Sequence, residues 1–368
     1  MRTTKMIFQA AILTILLSAC QDPAVDATSE PADNQAANPH RVLYSMLDTF
    51  NVGDNIYARS LLIEKDSLWV GTSSGVMEIG LKELSMKNTF TREHGLANEY
   101  VFGIGADEQG YKWFGTNGGG VSRYKDGEWK TFFPMHGLAD YWVYSFVQQR
   151  SGPFWIGTWA GANSVDLDDM TFKTYVSELI NEWVYGLAID QQDRVWFGTE
   201  GGVSMFDGEQ WQEWSHDDGL GAPNSQNLPP SDNTGLGTRS RHDLNIQMEG
   251  GESYNPSYVF SIVVDSENIV WAGTWGGGLA RFDGTEWTNY TFADGLAGNV
   301  IYSLALDGNG GLWAGTNRGL SHFDGSNWVR YGPESGVPAR DVYAVAVTPE
   351  GDVWAGYRGA VVRLGLGP

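Results

Sequence analysis

A single cysteine, Cys20, in a chain of 368 residues excludes an intramolecular disulfide and any metal site built from clustered thiolates. Basic residues are scarce as well: 23 Lys and Arg face 45 Asp and Glu, for a formal net charge of -22. So acidic a surface repels phosphate backbones, and nucleic acid is not an expected partner. The apolar stretch Met6–Leu17 is too short to span a bilayer. Neither a Gly-x-Ser-x-Gly elbow nor a phosphate-binding glycine loop is present, so nucleophilic and nucleotide chemistry lack a visible carrier.

What is present at the start reads as an export signal. Arg2 and Lys5 precede the apolar stretch, and Leu17-Ser18-Ala19-Cys20 follows it. This resembles a bacterial lipoprotein signal, with residues 1–19 removed and lipid attached to Cys20. The resemblance implies a membrane anchor through that lipid. Gln21 in place of an aspartate after the cysteine points to the outer membrane, and the alternative is a secretory signal with a chance cysteine. Residues 20–40 are rich in Ala, Asp, Glu, Pro and Asn, cannot bury enough apolar surface to fold, and are expected to form a tether.

Residues 41–368 are repetitive. Trp-x-Gly recurs at Trp69, Trp113, Trp155, Trp196, Trp271, Trp313 and Trp354, and six of the seven copies continue into Thr. Successive tryptophans lie 44, 42, 41, 75, 42 and 41 residues apart, the length of a four-stranded propeller blade with one insertion. Val300–Tyr331 shows the pattern of one blade: an apolar inner strand, a turn at Asp307–Gly310, a second strand to Thr316, a tight turn, a third strand, a hairpin turn at Asp324-Gly325 and an outer strand. Outer strands number six, around Asn88, Trp129, Phe172, Trp211, Trp287 and Trp328. The missing one is assigned to Val42–Phe50, which would complete the last blade and leave no open edge. The expected fold is therefore all-β, a seven-bladed propeller of four-stranded antiparallel blades closed by an N-terminal strand.

These repeats resemble the two-component regulator propeller family. The matching residues are Gly95-Leu96, Gly137-Leu138, Gly219-Leu220 and Gly295-Leu296, the turn aspartates Asp107, Asp190, Asp265 and Asp307, and Trp-x-Gly-Thr itself. The resemblance implies an extracytoplasmic ligand-sensing domain, in a family whose members often join to a membrane helix and a histidine kinase. Neither follows the repeats here, so the expectation is a separate signalling or envelope partner.

A site is expected on the face shared by the strand-entry loops and the turns between second and third strands. The turns would present Ser73, Asn117, Trp159, Glu200, Trp275, Asn317 and Arg358, and the strand entries Tyr100, Trp142, Glu182 with Trp183, Tyr258, Asn299, and Arg340 with Asp341. Aromatic rings beside carboxylates, Asn and Arg suit a carbohydrate or peptide ligand. Packing of blade against blade is the alternative for the strand-entry aromatics, while Trp159 and Trp275 stand out because turns usually hold small polar residues. An irregular insertion at residues 221–254 falls on the same face and would act as a flap beside Glu200 and Trp275. Arg59 is aligned with the small residues Gly103, Ser145, Gly186, Ser261, Ser303 and Ala344, and is expected to be a structural plug paired with a carboxylate, the alternative being an anion site in the axial channel.

Metal, cofactor and catalysis are not expected. His94, His136, His216 and His322 read as surface residues of the repeat, with a metal site between His94 and His136 as the alternative. Asp166, Asp168 and Asp169 lack the glycine and glutamate of an EF-hand loop. Competing expectations are a protein-assembly scaffold of the envelope and, as a third, a metal-dependent lyase resembling the propeller enzymes that inactivate streptogramins.

Overall fold

A computed structural model describes residues 44–231 and 253–366. The leader, Cys20 and the tether lie outside the described residues, as does most of the insertion. The rest forms seven four-stranded antiparallel sheets, each following chain order from an inner to an outer strand except the last. Blade 1 comprises Ala58–Glu64, Ser67–Thr72, Gly75–Gly80 and Ser85–Phe90. Blade 7 takes Ala344–Val347, Val353–Gly356 and Ala360–Leu366 from the end of the chain and Tyr44–Asn51 from its beginning.

That closing strand pairs antiparallel with Ala360–Leu366, from Tyr44 opposite Leu366 to Asn51 opposite Ala360, with a bulge between Met46 and Asp48. Side chains fasten it. Arg363 donates to Asp48 and to Asp352, each at 2.8 Å, while Tyr44 meets the Trp313 ring edge-on at 4.9 Å and Phe50 packs on Trp354 at 5.4 Å.

The repeat motif has a packing reason at each position. Each Trp-x-Gly tryptophan is buried against the following blade: Trp69 lies with Leu96, Val101 and Phe114, Trp113 with Leu138, Val143 and Phe154, and Trp354 with Ala58, Leu68 and Val70 of blade 1. The core is therefore a set of seams between blades, plus one cluster at the axis. The motif glycine keeps that seam closed, since a Cβ on Gly115 would stand 2.5 Å from the Val143 carbonyl oxygen of the next blade. The threonine hydroxyl donates across the turn that follows, as Thr116 does to the Gly120 carbonyl at 2.8 Å. In the Gly-Leu pairs the glycine ends a short 3-10 turn at positive φ, 114° at Gly95, and the leucine drops into the seam.

The turn aspartates hold the tryptophans from the other end. Asp107 accepts from Trp113 Nε1 at 2.8 Å and from the Arg123 guanidinium at 2.6 Å, and Asp190 and Asp265 likewise accept from Trp196 and Trp271. In blade 6 the pattern shifts. Asp307 pairs with His322 at 3.0 Å, and the His322 ring stacks on Trp313 at 4.4 Å. His322 is thus a half-buried structural residue and not the surface position expected of it, because its third-strand place faces the turn aspartate.

Gly115→Ala forces a methyl into backbone of the adjacent blade and is expected to cost about 1–3 kcal/mol of stability, read as a lower urea midpoint. An unchanged midpoint would mean that the seam between blades 2 and 3 is looser than described.

Candidate functional site

One backbone hydrogen bond repeats on the expected face and sets its register. In five blades the residue after the motif threonine donates its N–H to the carbonyl of the strand-entry residue of its own blade: Ser73 to Tyr57, Asn117 to Tyr100, Trp159 to Trp142, Glu200 to Trp183 and Asn317 to Val300, at 2.9–3.2 Å. In blades 2–4 the entry residues are themselves fixed by Asx turns. Asn98, Asp140 and Asn181 accept the N–H of Tyr100, Trp142 and Trp183 at 2.8–2.9 Å. In blade 1 the Ser73 hydroxyl performs the same service for Tyr57.

This register corrects the alignment of Arg59. If Tyr57 matches Tyr100, then Arg59 matches Phe102, and the small residues Gly103, Ser145 and Ser261 match Ser60, which pairs with Gly71 as they pair with the other motif glycines. The expected carboxylate partner is also corrected. Among the described residues no carboxylate lies in ion-pair contact with Arg59; its Nη1 donates to the Tyr100 hydroxyl at 2.8 Å.

The predicted site residues divide into an open arc and a sealed half. On blades 2–4, Trp142 and Trp159 lie 5.8 Å apart and Trp159 and Trp183 4.9 Å apart, all three half-buried. Tyr141, 42% exposed, extends the arc toward Phe133 at 6.1 Å, and Glu182 is exposed beside Trp183. Asn117, half-buried, sits on the turn above Trp142, beside Gly118, where a Cβ would stand 3.6 Å from the indole nitrogen. Tyr141 and Phe133 escaped the sequence reading, although their place just before Trp142 and just after the outer strand of blade 2 marks them for this face.

Beyond this arc, from blade 5 onward and at the turn of blade 4, the expectation fails. Trp275 ends the strand Val270–Trp275, is 3% exposed, and stacks on Tyr258 at 5.6 Å and 13°. Both ends of the insertion cover it. Trp275 Nε1 donates to the Ser253 hydroxyl at 3.0 Å, and Tyr254, held between Pro229 and Ser231 by backbone bonds, donates its hydroxyl to the Ala222 carbonyl. Trp275 is therefore packing and not a platform. Glu200 and Asn317 are buried too. Glu200 accepts from the Tyr185 hydroxyl at 3.0 Å, and Asn317 accepts from the Val300 N–H at 3.3 Å. Arg340 and Arg358 are exposed at the junction of blades 7 and 1, where Arg340 donates to the Arg358 carbonyl and Arg358 to Asn55.

Among the described residues no group of three His, Cys, Asp or Glu stands close enough to hold a metal ion. His94 and His136 use Nδ1 to accept the Thr91 and Phe133 N–H groups of their own turns, and His216 Nδ1 contacts the Leu220 carbonyl. Asp341 has a different environment. Burial lifts its carboxyl above the usual carboxylate range, against the Tyr302 and Tyr343 hydroxyls that donate to it at 3.2 and 3.4 Å.

Comparison with known proteins agrees with this architecture. The family model described as two component regulator propeller matches residues 178–201, 253–276 and 295–318. The extracellular domain of a hybrid two component system of B. thetaiotaomicron shares 20% identity at a TM-score of 0.68, over 87% of this chain; this chain spans only 41% of that one. Virginiamycin B lyase from Staphylococcus aureus shares 13% identity at a TM-score of 0.65, over 88% of this chain and 100% of its own. PorZ, a surface component of the type-IX secretion system of Porphyromonas gingivalis, shares 13% at a TM-score of 0.55, over 85% of this chain and 37% of its own. At such identities these structures share the fold. No curated protein matches the sequence. Among the described residues no helix is long and apolar enough to cross a membrane.

Two outcomes test the division of the face. Trp275→Ala is expected to lower stability by about 3–5 kcal/mol and Trp159→Ala by about 1 kcal/mol, compared by urea unfolding; equal losses would put both rings in the same environment. For Asp341, a folded-state pKa above the unfolded one means that ionisation opposes folding, a penalty present at neutral pH and gone once pH falls through the carboxylate range. Asp341→Asn is accordingly expected to raise the urea midpoint at pH 7 and to match wild type near about pH 4, and a gap that widens on acidification would reverse the assignment.

Proposed function

We propose that this chain, a ring built from two component regulator propeller repeats, is a non-catalytic extracytoplasmic protein that binds a carbohydrate or peptide for sensing or capture. The observation that carries the reading is the asymmetric arc of Tyr141, Trp142, Trp159 and Trp183, left partly open on blades 2–4 while the equivalent aromatics of blade 5 are sealed. Rings at 4.9–5.8 Å spacing, tilted to one another, present successive faces on which sugar rings or side chains can stack, and Glu182 and Asn117 supply polar groups at the edge. A sugar fits better than a peptide because the arc lies on turns and strand entries, away from the outer-strand edges where a peptide could add as a strand. That an extracellular two component system domain shares the fold supports a sensing role.

The described histidines support a non-catalytic reading, since each is engaged in a turn or an ion pair, His136 by accepting from and stacking on Phe133 at the end of the arc. Lipid on Cys20, with residues 20–40 as tether, would hold the ring at the membrane, in the outer membrane of a cell that has one. A second reading, a scaffold for another envelope protein, draws on exposed Met46, Leu47 and Leu366 at the rim of blade 7, at 39%, 43% and 59%. PorZ, with the same fold, is a secretion-system component.

Screening on a glycan array should find a ligand whose binding weakens at least tenfold in the Trp159→Ala, Trp183→Ala double variant while its circular dichroism spectrum stays unchanged. Glycan binding that survives the double change would move the site off the arc. Incorporation of labelled palmitate, expected in the full chain and lost in Cys20→Ser, tests the anchor separately.

A further inference from the structure

Below the entry residues, every blade sends one side chain toward the axis. Six are aromatic: Phe102, Tyr144, Tyr185, Phe260, Tyr302 and Tyr343. Their rings follow one another around the channel with centroids 4.9, 5.0, 5.6, 6.2 and 5.6 Å apart. The seventh place belongs to Arg59. Its guanidinium carbon lies 5.3 Å from the centroid of Phe102 and 5.7 Å from that of Tyr343, so a cation completes the circle.

Arg59 and all of these rings except Tyr302 line a cavity of about 40 Å³. Arg59 is 8% exposed, and among the described residues its one hydrogen bond goes to the Tyr100 hydroxyl. The nearby carboxylates are held by other groups, Asp341 by the hydroxyls of Tyr302 and Tyr343 and Glu200 by that of Tyr185. Aromatic faces ease the burial of a guanidinium but leave several of its N–H donors without an acceptor, and such donors buried beside open space are what an anion needs. We infer that the axial cavity is an anion site in which Arg59 holds a single small monovalent anion, either a free halide or the carboxylate tip of a larger ligand.

Size limits the class. One water requires about 10–15 Å³ in the same measure, so this space takes a chloride or a carboxylate group and has no room for a sugar ring or a phosphate ester. Selectivity would come from Arg59 alone, the one cation in the circle, with the phenolic and phenyl rings excluding bulk water around it. The site uses inner-strand residues that the stacking arc does not, and meets the arc where Phe102 stacks on Trp142 at 6.2 Å.

Crystals of the chain soaked in sodium bromide should show an anomalous peak in this cavity in contact with the Arg59 guanidinium. In chloride-free buffer at constant ionic strength, bromide should raise the melting temperature of the wild type, and Arg59→Met should weaken bromide binding at least tenfold. Formate and acetate form the second arm. Displacement of the bromide peak by either assigns the site to a carboxylate, while persistence of the peak assigns it to free halide. No peak in the wild type, or a halide-induced shift of the same size in Arg59→Met, would overturn the proposal. The wild-type soak decides the question even if the variant does not fold.

Discussion

Each motif tryptophan is buried by the blade that follows it, so no blade can complete its own core. A linear array of such units would always leave its last tryptophan uncovered. In this chain the last one, Trp354, is covered by Ala58, Leu68 and Val70 of blade 1 and by Phe50 of the closing strand. Closure of the ring is thus a packing requirement before it is a matter of shape. The Arg363 contacts with Asp48 and Asp352, and Tyr44 against Trp313, fasten the strand that makes it possible.

Seven equivalent seams make a rigid ring, and the features that distinguish one blade from another are small departures from equivalence. Blade 5 has its turn tryptophan roofed by Ser253 and Tyr254, whereas blade 3 leaves its own, Trp159, partly open. Blade 1 replaces the axial aromatic with Arg59. Blade 6 replaces the aspartate–indole bond with an aspartate–histidine pair. Function in such a ring is written in the exceptions, because the repeated positions serve the seams.

The repeat period made the ring, the blade count and the donated strand legible, because Trp-x-Gly-Thr combines three local requirements that recur in phase: an indole for the seam, no Cβ against the next blade, and a hydroxyl to close the turn. Two positions were not legible, for physical reasons. The alignment puts Arg59 one residue out of register because blade 1 lacks the Asx turn that marks strand entry in blades 2–4, Ser73 from a distant turn taking its role. Trp275 sits at a turn position by spacing, and its burial comes from residues at the far end of a long insertion, which no local pattern announces. Asn117, Trp142, Trp159 and Trp183 stand on the expected face because their positions follow from the repeat alone.

The pairing of Tyr44–Asn51 with Ala360–Leu366 joins the earliest described segment to the latest. During synthesis the first strand must wait, with its hydrogen-bonding edge unsatisfied, until all of the chain through Ala360–Leu366 has been delivered. Contacts of such sequence separation form late and slowly. A truncation that spares six blades would therefore strand Phe50 and Tyr44 without partners, and quality control would meet this protein as either whole or unfinished.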